Sequence, residues 1–438
     1  MNKLNYAILS AALCFGQSVQ AADLMSLYQE TVKSFPGLDA SEAQIEASEA
    51  RVDQAVGDLL PQVSFTGSRT RTRHESGSTV TDYNGKRYAL SLTQSLYDKP
   101  KYEYKKLHQS LTQQSKERYL GLLATVSVDL IERYVTVLSA EDVLSQITAE
   151  KDLTQRQLDL LRSMYKRQLA VLTDVLDIEA RLDGLKAQQI VARNDVATSR
   201  ENLGELVGRD VVEPLDKFVQ ELNYVDMSDK PKSYWTEKGI ENSHQLKELR
   251  ENIKSAKTEV SQAKAGHLPT VSFRLEANKS NIGFENSRSA DTNKSYVASL
   301  NLSIPIYSGG KTSARKREQV AKLRESRAQY EEARRAVLKD IREAYLGVTA
   351  NKANISASKT AIVSAEKSYD AMSKGLEYGT VTVVDVLDAK KEVLRNEIEF
   401  RKNQYDYAVN WINLLRLSGQ LDEESITQAN AWLDLKKN

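Results

Sequence analysis

The sequence predicts a mostly α-helical protein made of two tandem copies of one unit, each copy carrying two β-strands. Prolines are absent between Pro100 and Pro214 and after Pro305, which leaves two long tracts where helices can run unbroken. Four short segments alternate apolar and polar residues and are predicted to be strands. The duplication is indicated by motifs that recur in the same order about 210 residues apart: Leu60–Phe65 with Leu268–Phe273, Ser95–Asp98 with Pro305–Ser308, Thr173–Asp177 with Val384–Asp388, and Leu203–Gly208 with Leu414–Gly419.

The composition argues against several classes of protein. The chain has 438 residues, and its 61 basic against 60 acidic side chains lack the excess of a nucleic-acid-binding protein. The single cysteine, Cys14, and four scattered histidines offer neither a disulfide framework nor a zinc site. No Ser/His/Asp or Cys/His combination is evident. We therefore expect no enzyme, no cofactor and no metal site.

Residues 1–21 resemble a cleavable signal peptide. Lys3 provides the positive start, Ala7–Phe15 forms a short apolar segment, and Val19–Ala21 fits the small-x-small cleavage pattern. We expect cleavage after Ala21 and export from the cytoplasm. No later stretch reaches the roughly 20 apolar residues that a membrane-spanning helix needs.

The first repeat is predicted over 22–208. Its strands alternate apolar and polar residues, and its helices carry apolar residues at spacings of three and four. The expected elements are an opening helix near 23–57, strands over 62–73 and 88–97, a long helix over 98–165 and a returning helix over 174–208.

The second repeat is predicted over 235–419, after an equatorial connector over 209–234. A short polar tail is expected over 420–438. The expected elements of the second repeat are an opening helix near 235–266, strands over 270–279 and 296–307, a long helix over 310–378 and a returning helix over 382–418. Each repeat therefore ends in a long helical hairpin.

The strands leave two architectures open. Alternation over about ten residues suits a tilted membrane-crossing strand, but it also suits a small soluble sheet that caps a helical bundle. Four strands cannot close a barrel alone, whereas three copies of the chain would supply twelve. The long helices likewise fit a channel wall or a periplasmic coiled-coil adaptor or scaffold. Aromatic residues near the strand ends fit either a membrane interface or ordinary packing: Tyr83, Tyr88, Tyr97, Phe284, Tyr296 and Tyr307.

Two acidic residues and one glycine-rich turn are candidate functional features. Asp385 and Asp388 are three residues apart and share one face at the start of the returning helix. In a monomer they form an ordinary acidic first turn, but in a threefold assembly they become six carboxylates around a pore. The segment Gly309–Thr312 resembles the end of a phosphate-binding loop. Pro305 occupies the position of that motif's first glycine, so a flexible strand-to-helix turn is the better interpretation.

Together these motifs resemble the TolC family of outer-membrane efflux and secretion channels over roughly 23–418. The residues that carry the resemblance are Leu60–Phe65, Leu268–Phe273, Ser303–Gly310 and Gly379–Ala389. The resemblance implies a homotrimer with a TolC-like α/β-barrel. Four strands from each protomer would form a twelve-stranded transmembrane β-barrel in the outer membrane, above a long coiled-coil helical tunnel that crosses the periplasm.

The same resemblance implies partners and a passive export function. The channel would dock on a periplasmic adaptor (membrane fusion) protein and on an inner-membrane ABC exporter or proton-driven efflux pump. It would export proteins by type I secretion, drugs and toxic small molecules, or both. The C-terminal segment Trp411–Leu421 is more similar to the type I secretion branch.

The resemblance also implies roles for single residues at the periplasmic entrance. Asp385 and Asp388 would line the pore constriction, and Thr173 and Asp174 would form one side of the contacts that hold the coils closed. This sequence departs from the family pattern on the other side and at the first tip. The departures are Leu376 for an expected tyrosine, Val381 for an expected arginine, and Gln168 for a frequent glycine.

The contacts that close the entrance are therefore expected to differ from the family pattern, with Tyr378, Lys374 or Arg167 as replacements. Four further residues are expected at the turns between barrel and tunnel: Pro100, Pro305, Gly309 and Gly310.

Overall fold

The computed structural model describes residues 23–219, 230–281 and 292–433. The predicted signal peptide, the middle of the connector and the last five residues of the tail lie outside these ranges. The first half consists of α1 (Leu24–Ser34), α2 (Pro36–Gly57), β1 (Gln62–Ser76), β2 (Thr79–Tyr97), α3 (Lys99–Lys166) and α4 (Leu172–Val207). The second half consists of α5 (Lys232–Asn242), α6 (His244–Ala265), β3 (Thr270–Ser280), β4 (Asn293–Ser303), α7 (Lys311–Glu377) and α8 (Val383–Leu417), and α9 (Glu423–Asn430) follows.

Several element boundaries differ from the sequence predictions. Each predicted opening helix is two helices, and the first pair is separated at Phe35, where the following proline disfavours helical backbone. The predicted strands over 62–73 and 88–97 are longer, because most of the expected loop between them pairs as a hairpin around Gly77. The predicted strand over 296–307 ends early, at Ser303. The tail is not merely polar, since α9 and the residues after it bury Ile426, Trp432 and Leu433.

The two longest helices determine the dimensions of the molecule. α3 has 68 residues and α7 has 67, so each is a rod of roughly 100 Å. α3 packs against α2 and α6 near the sheet and against α4 and α8 farther away. α7 packs against α6 and α8 in the corresponding way. Of the helices described, none is both long enough and apolar enough to cross a membrane.

The main apolar core lies around the middle of the long helices, where the connector and α9 join them. Trp235 and Trp411 meet there edge to face, with ring centroids 5.5 Å apart. Gly419 ends the second returning helix with φ +66°, and a Cβ atom there would lie 2.4 Å from the carbonyl oxygen of Asn242. Only glycine combines this left-handed backbone with so close an approach. The repeated Gly208 and Gly419 therefore mark where each hairpin ends at the core.

The four strands form one antiparallel sheet in the order β1-β2-β3-β4. Its register places most of the apolar side chains on one face and most of the polar side chains on the other. One face carries Val63, Phe65, Tyr88, Leu90, Leu92, Val271, Phe273, Leu275, Ala277, Tyr296, Ala298, Leu300 and Leu302. The other carries Ser64, Thr66, Ser91, Thr93, Ser272, Arg274, Glu276, Ser299 and Asn301.

The apolar face of the sheet is open. Phe65 is 68% exposed and Leu300 66%, because none of the described helices packs across them. A β-bulge between Ser95 and Tyr97 pairs Tyr97 with Val271 and so brings this tyrosine onto the apolar face. Among the described residues, the outer edges of β1 and β4 have no strand partner.

Candidate functional site at the tips of the helical hairpins

The two helical hairpins end in turns with the same hydrogen bonds. In the first, the amide of Leu169 donates to the carbonyl of Met164 at 2.9 Å; in the second, Thr380 donates to Gly375 at 2.9 Å. This is a helix stop in which one residue adopts left-handed backbone. Gly379 does so without strain at φ +71°, but its counterpart is Gln168, at φ +63°. The departure noted in the sequence therefore lies at the one described non-glycine residue with positive φ.

The tips of the two hairpins pack on each other through a small apolar cluster, separate from the main core. Leu376 packs against this cluster, so it supports the tip from inside rather than offering a polar contact. Val381 lies beside Gly375, where a Cβ atom on the glycine would be 3.0 Å from a Val381 methyl. The buried members of the cluster are Leu158, Leu161, Val175, Ile178, Leu182, Val383 and Leu387.

Asp385 is held in a reciprocal cap at the start of α8. Its amide donates to the Thr382 hydroxyl at 3.2 Å, and its carboxylate accepts from the Thr382 amide at 2.8 Å. The Thr382 hydroxyl also donates to this carboxylate at 2.7 Å. These side-chain and backbone hydrogen bonds hold the pKa of Asp385 below its ordinary value. The carboxylate is exposed and orientated, and it stays ionised at neutral pH.

Asp388 has a different environment, because it is paired with a cation of the other hairpin. Arg181 on α4 lies 2.8 Å from Asp388 and 3.2 Å from Glu150 on α3. Burial lowers the pKa of the Arg181 guanidinium, but the hydrogen bonds to both carboxylates outweigh this effect and raise it overall. Arg181 therefore links three helices at the tip.

Sequence reasoning did not identify Arg181. The only local signal is an arginine at the edge of the apolar stripe formed by Ile178, Leu182 and Leu185. Its partner Asp388 is 207 residues away in the chain, so the pairing depends on how the hairpins pack.

The start of α4 differs from the start of α8. Val171 occupies the cap position of α4 and has no side-chain oxygen, so the helix begins without a side-chain hydrogen bond. Thr173 is exposed and Asp174 is half-buried. Tyr378 is 82% exposed at the opposite tip, beside the exposed Lys374, and Arg167 is exposed at the first tip. Within this protomer Thr173 and Asp174 are not brought against Tyr378 by any described hydrogen bond.

The turns between sheet and helices differ between the halves. Pro100 lies in the first turn of α3, which Asp98 caps by accepting from the Lys101 amide at 3.3 Å. Lys101 also donates to the carbonyl of Asp58 at 3.1 Å, which ties this turn to the end of α2. In the second half the segment 304–310 is irregular and holds the exposed Pro305 before the left-handed Gly309 and Gly310.

Comparison with known proteins decides the family. The sequence profile described as outer membrane efflux protein matches residues 27–209 and 235–420. The chain belongs to the outer membrane efflux protein family. Outer membrane protein TolC of Escherichia coli is 28% identical over 98% of this chain and 89% of its own length. The alkaline protease secretion protein AprF of Pseudomonas aeruginosa is 27% identical over 93% of this chain and 86% of its own.

A solved structure shares the fold of this outer membrane efflux protein. The CmeC outer membrane channel of Campylobacter jejuni superposes with a TM-score of 0.78 at 14% identity, over 99% of this chain and 98% of that one. The efflux protein is thus an outer-membrane export channel with a TolC-like fold. The alternative of a periplasmic adaptor or scaffold without a channel has no support in these matches.

Proposed function

We propose that three copies of this chain form a passive channel-tunnel that spans the outer membrane and the periplasm. The observation that carries this proposal is the open sheet, which has one apolar face, one polar face and two unpaired outer edges among the described residues. Unpaired strand edges are not tolerated in lipid. Pairing β1 of one protomer with β4 of the next removes both edges and closes a twelve-stranded barrel.

The dimensions of the apolar face support this arrangement. Tyr88 and Tyr97 lie on it nine residues apart along β2. At about 3.3 Å per residue they are about 30 Å apart, or about 23 Å along the membrane normal for a strand tilted by about 40°. A membrane barrel has an apolar band about 25 Å tall with aromatic residues at its borders. We therefore assign Tyr88 and Tyr97 to the two membrane interfaces.

The helical part supports a tunnel with a narrow periplasmic end. α3 and α7 extend roughly 100 Å, and both hairpin tips lie at the end farthest from the sheet. Asp385 and Asp388 are exposed there. In the trimer we assign them to a ring of carboxylates around the entrance, which would attract cations. Thr173, Asp174 and Tyr378 are assigned to contacts between neighbouring tips.

The tips are also the proposed docking site for partners. They expose apolar side chains that a monomer leaves uncovered: Tyr165, Leu169, Val171, Leu172, Leu176 and Tyr378. We propose that a periplasmic adaptor covers them and couples the channel to an inner-membrane ABC exporter or proton-driven pump, which supplies the energy. The relative AprF is named for alkaline protease secretion, which supports protein export as one cargo class.

The oligomeric state is tested on the purified channel in detergent. Light scattering or native mass spectrometry should give three times the mass of the mature chain. A mass of one or two chains would contradict the trimer and therefore the twelve-stranded barrel.

The partners are tested by cross-linking in cells. A photo-reactive residue at Lys166 or Lys374, both exposed at the tips, should capture an adaptor and an inner-membrane transporter. An ABC exporter would assign the channel to protein secretion, and a proton-driven pump to efflux of small molecules. The same residue at Lys322, far from the tips on α7, is the matched control and should capture neither.

A further inference from the structure

A cluster of cations continues the apolar face of the sheet from the level of Tyr88 toward the hairpin end. Lys86 pairs with Arg69, and Lys279 pairs with both Tyr88 and Lys294. Residues that face each other across an antiparallel pair point to the same side. The basic belt, which we define as the six cations of this face, is Arg69, Arg71, Arg73, Lys86, Lys279 and Lys294.

The basic belt lies on the same side as the lipid-facing residues because strand positions alternate. On β1, Val63, Phe65, Arg69, Arg71 and Arg73 are all separated by even numbers of residues, so they share one face. The apolar residues and the cations therefore lie on the same face of the sheet, one group after the other along the strands. A belt that lined the pore would have to lie on the opposite face, with Arg274 and Glu276.

The charge of the belt is only partly compensated. Glu75 and Asp82 lie on the same face of the sheet, and Arg73 forms an ion pair with Glu75 at 2.9 Å. Among the residues that the structure describes, no carboxylate lies within ion-pair distance of the other five cations. All six side chains are exposed. The six cations and two acids leave a local excess of positive charge just above the apolar band.

The position of the basic belt in the sheet indicates which layer of the membrane it contacts. It lies at the hairpin end of the sheet, away from the ends where α3 and α7 begin. If the helices extend into the periplasm, as proposed above, this end faces the cell exterior at the level of the outer-leaflet headgroups. Arginine and lysine bind phosphate oxygens through charge-assisted hydrogen bonds.

We propose that the basic belt binds the phosphate groups of the phosphorylated glycolipid of the outer leaflet. The tyrosines Tyr88 and Tyr296 mark the boundary, with apolar residues against the acyl chains on one side and cations against the phosphates on the other. The belt would fix the depth of the barrel in the membrane. This inference rests on the proposed barrel and its orientation.

The test measures binding of bisphosphorylated lipid A to the intact channel in mixed micelles by native mass spectrometry. The variant is Arg69→Gln with Arg71→Gln. The matched control is Arg87→Gln with Arg274→Gln, which removes two exposed arginines from the opposite face of the same sheet. Each cation near an anionic surface contributes about fivefold, so we expect about thirtyfold weaker binding in the variant and little change in the control.

The second variant, Lys279→Gln with Lys294→Gln, should weaken binding by a similar factor, since it removes two belt cations from other strands. Equal binding by all variants would overturn the belt, as would equal binding of dephosphorylated lipid A or of phosphatidylglycerol. Displacement of the glycolipid by millimolar inorganic phosphate would also overturn it, because a free anion would then be the ligand.

Single-channel recording separates this inference from the proposed function. Variants that conduct like the unmodified protein but retain full glycolipid binding would refute the belt alone. An unmodified protein that forms no channel in a lipid bilayer would refute the barrel on which the belt depends.

Discussion

Asp385 and Asp388 are predicted to contribute unequally to cation binding at the entrance, because among the residues that the structure describes only Asp388 of the two has a cationic partner. In the proposed trimer, Asp385→Asn removes three exposed carboxylates whose described hydrogen bonds come from Thr382. Asp388→Asn combined with Arg181→Gln removes three carboxylates together with the three guanidinium groups that pair with them at 2.8 Å. The first substitution should therefore have the larger effect on block by divalent cations.

The magnitude follows from Coulomb's law. A divalent cation about 5 Å from one carboxylate in water gains about 1.7 kcal/mol, and physiological salt reduces this to about 0.9 kcal/mol. Three Asp385 carboxylates thus contribute about 2.6 kcal/mol, or roughly eightyfold in the blocking concentration. Each guanidinium, about 3 Å farther from the cation, repels it, so the loss of three Asp388–Arg181 pairs costs only about 1.5 kcal/mol, or roughly tenfold.

The assay is single-channel recording in a planar lipid bilayer with Mg²⁺ added on the side of the helical tips. Asp385→Asn should raise the half-blocking concentration roughly eightyfold, and Asp388→Asn combined with Arg181→Gln should raise it roughly tenfold. Asp183→Asn is the control, because it removes an exposed acid that is bonded to Lys186 at 2.8 Å on α4. If the double substitution had an effect equal to or larger than that of Asp385→Asn, the claim that Arg181 neutralises Asp388 would be refuted.

Three further predictions concern stability, each measured as the thermal unfolding of the purified channel. Gln168→Gly should stabilise the first tip by about 0.5–1 kcal/mol, since it relieves left-handed backbone strain; a lower melting temperature would contradict this. Val171→Thr should add about 1 kcal/mol by capping α4 with Asp174, as Thr382 caps α8, whereas Val171→Ala should not. Asp142→Ala should cost about 3 kcal/mol, more than Tyr405→Phe, because the buried carboxylate accepts from Tyr405 and Arg401 at 2.6 Å each.

The helices and strands could be predicted from the sequence because their signals are local. The absence of proline after Pro100 and Pro305 predicted both long helices, and the structure starts and ends them within one or two residues of the expected bounds. The strand lengths were predicted less well. The segment 74–87 is polar and rich in turn-forming residues, so its pairing into a hairpin depends on backbone hydrogen bonds that composition does not encode.

For the acidic pair at the tip, the sequence predicted the positions of the two residues but not their different electrostatic environments. Spacing alone was enough to place Asp385 and Asp388 at the start of one helix, and Thr382 three residues before Asp385 is a readable cap signal. Spacing could not distinguish their electrostatic states. That difference comes from Arg181, which reaches Asp388 only because the apolar cluster at the tips packs the two hairpins together.

The sequence by itself determined the duplication, the two helical hairpins and the alternation of apolar and polar residues along the strands, because periodicities of 2 and 3.6 residues are properties of neighbouring positions. Only the tertiary structure decided which residues meet across long stretches of chain. The bulge before Tyr97 moves that ring to the apolar face, and the alignment of four strands gathers Arg69, Lys86, Lys279 and Lys294 into one belt. Such contacts depend on register and packing between distant segments, which no local pattern specifies.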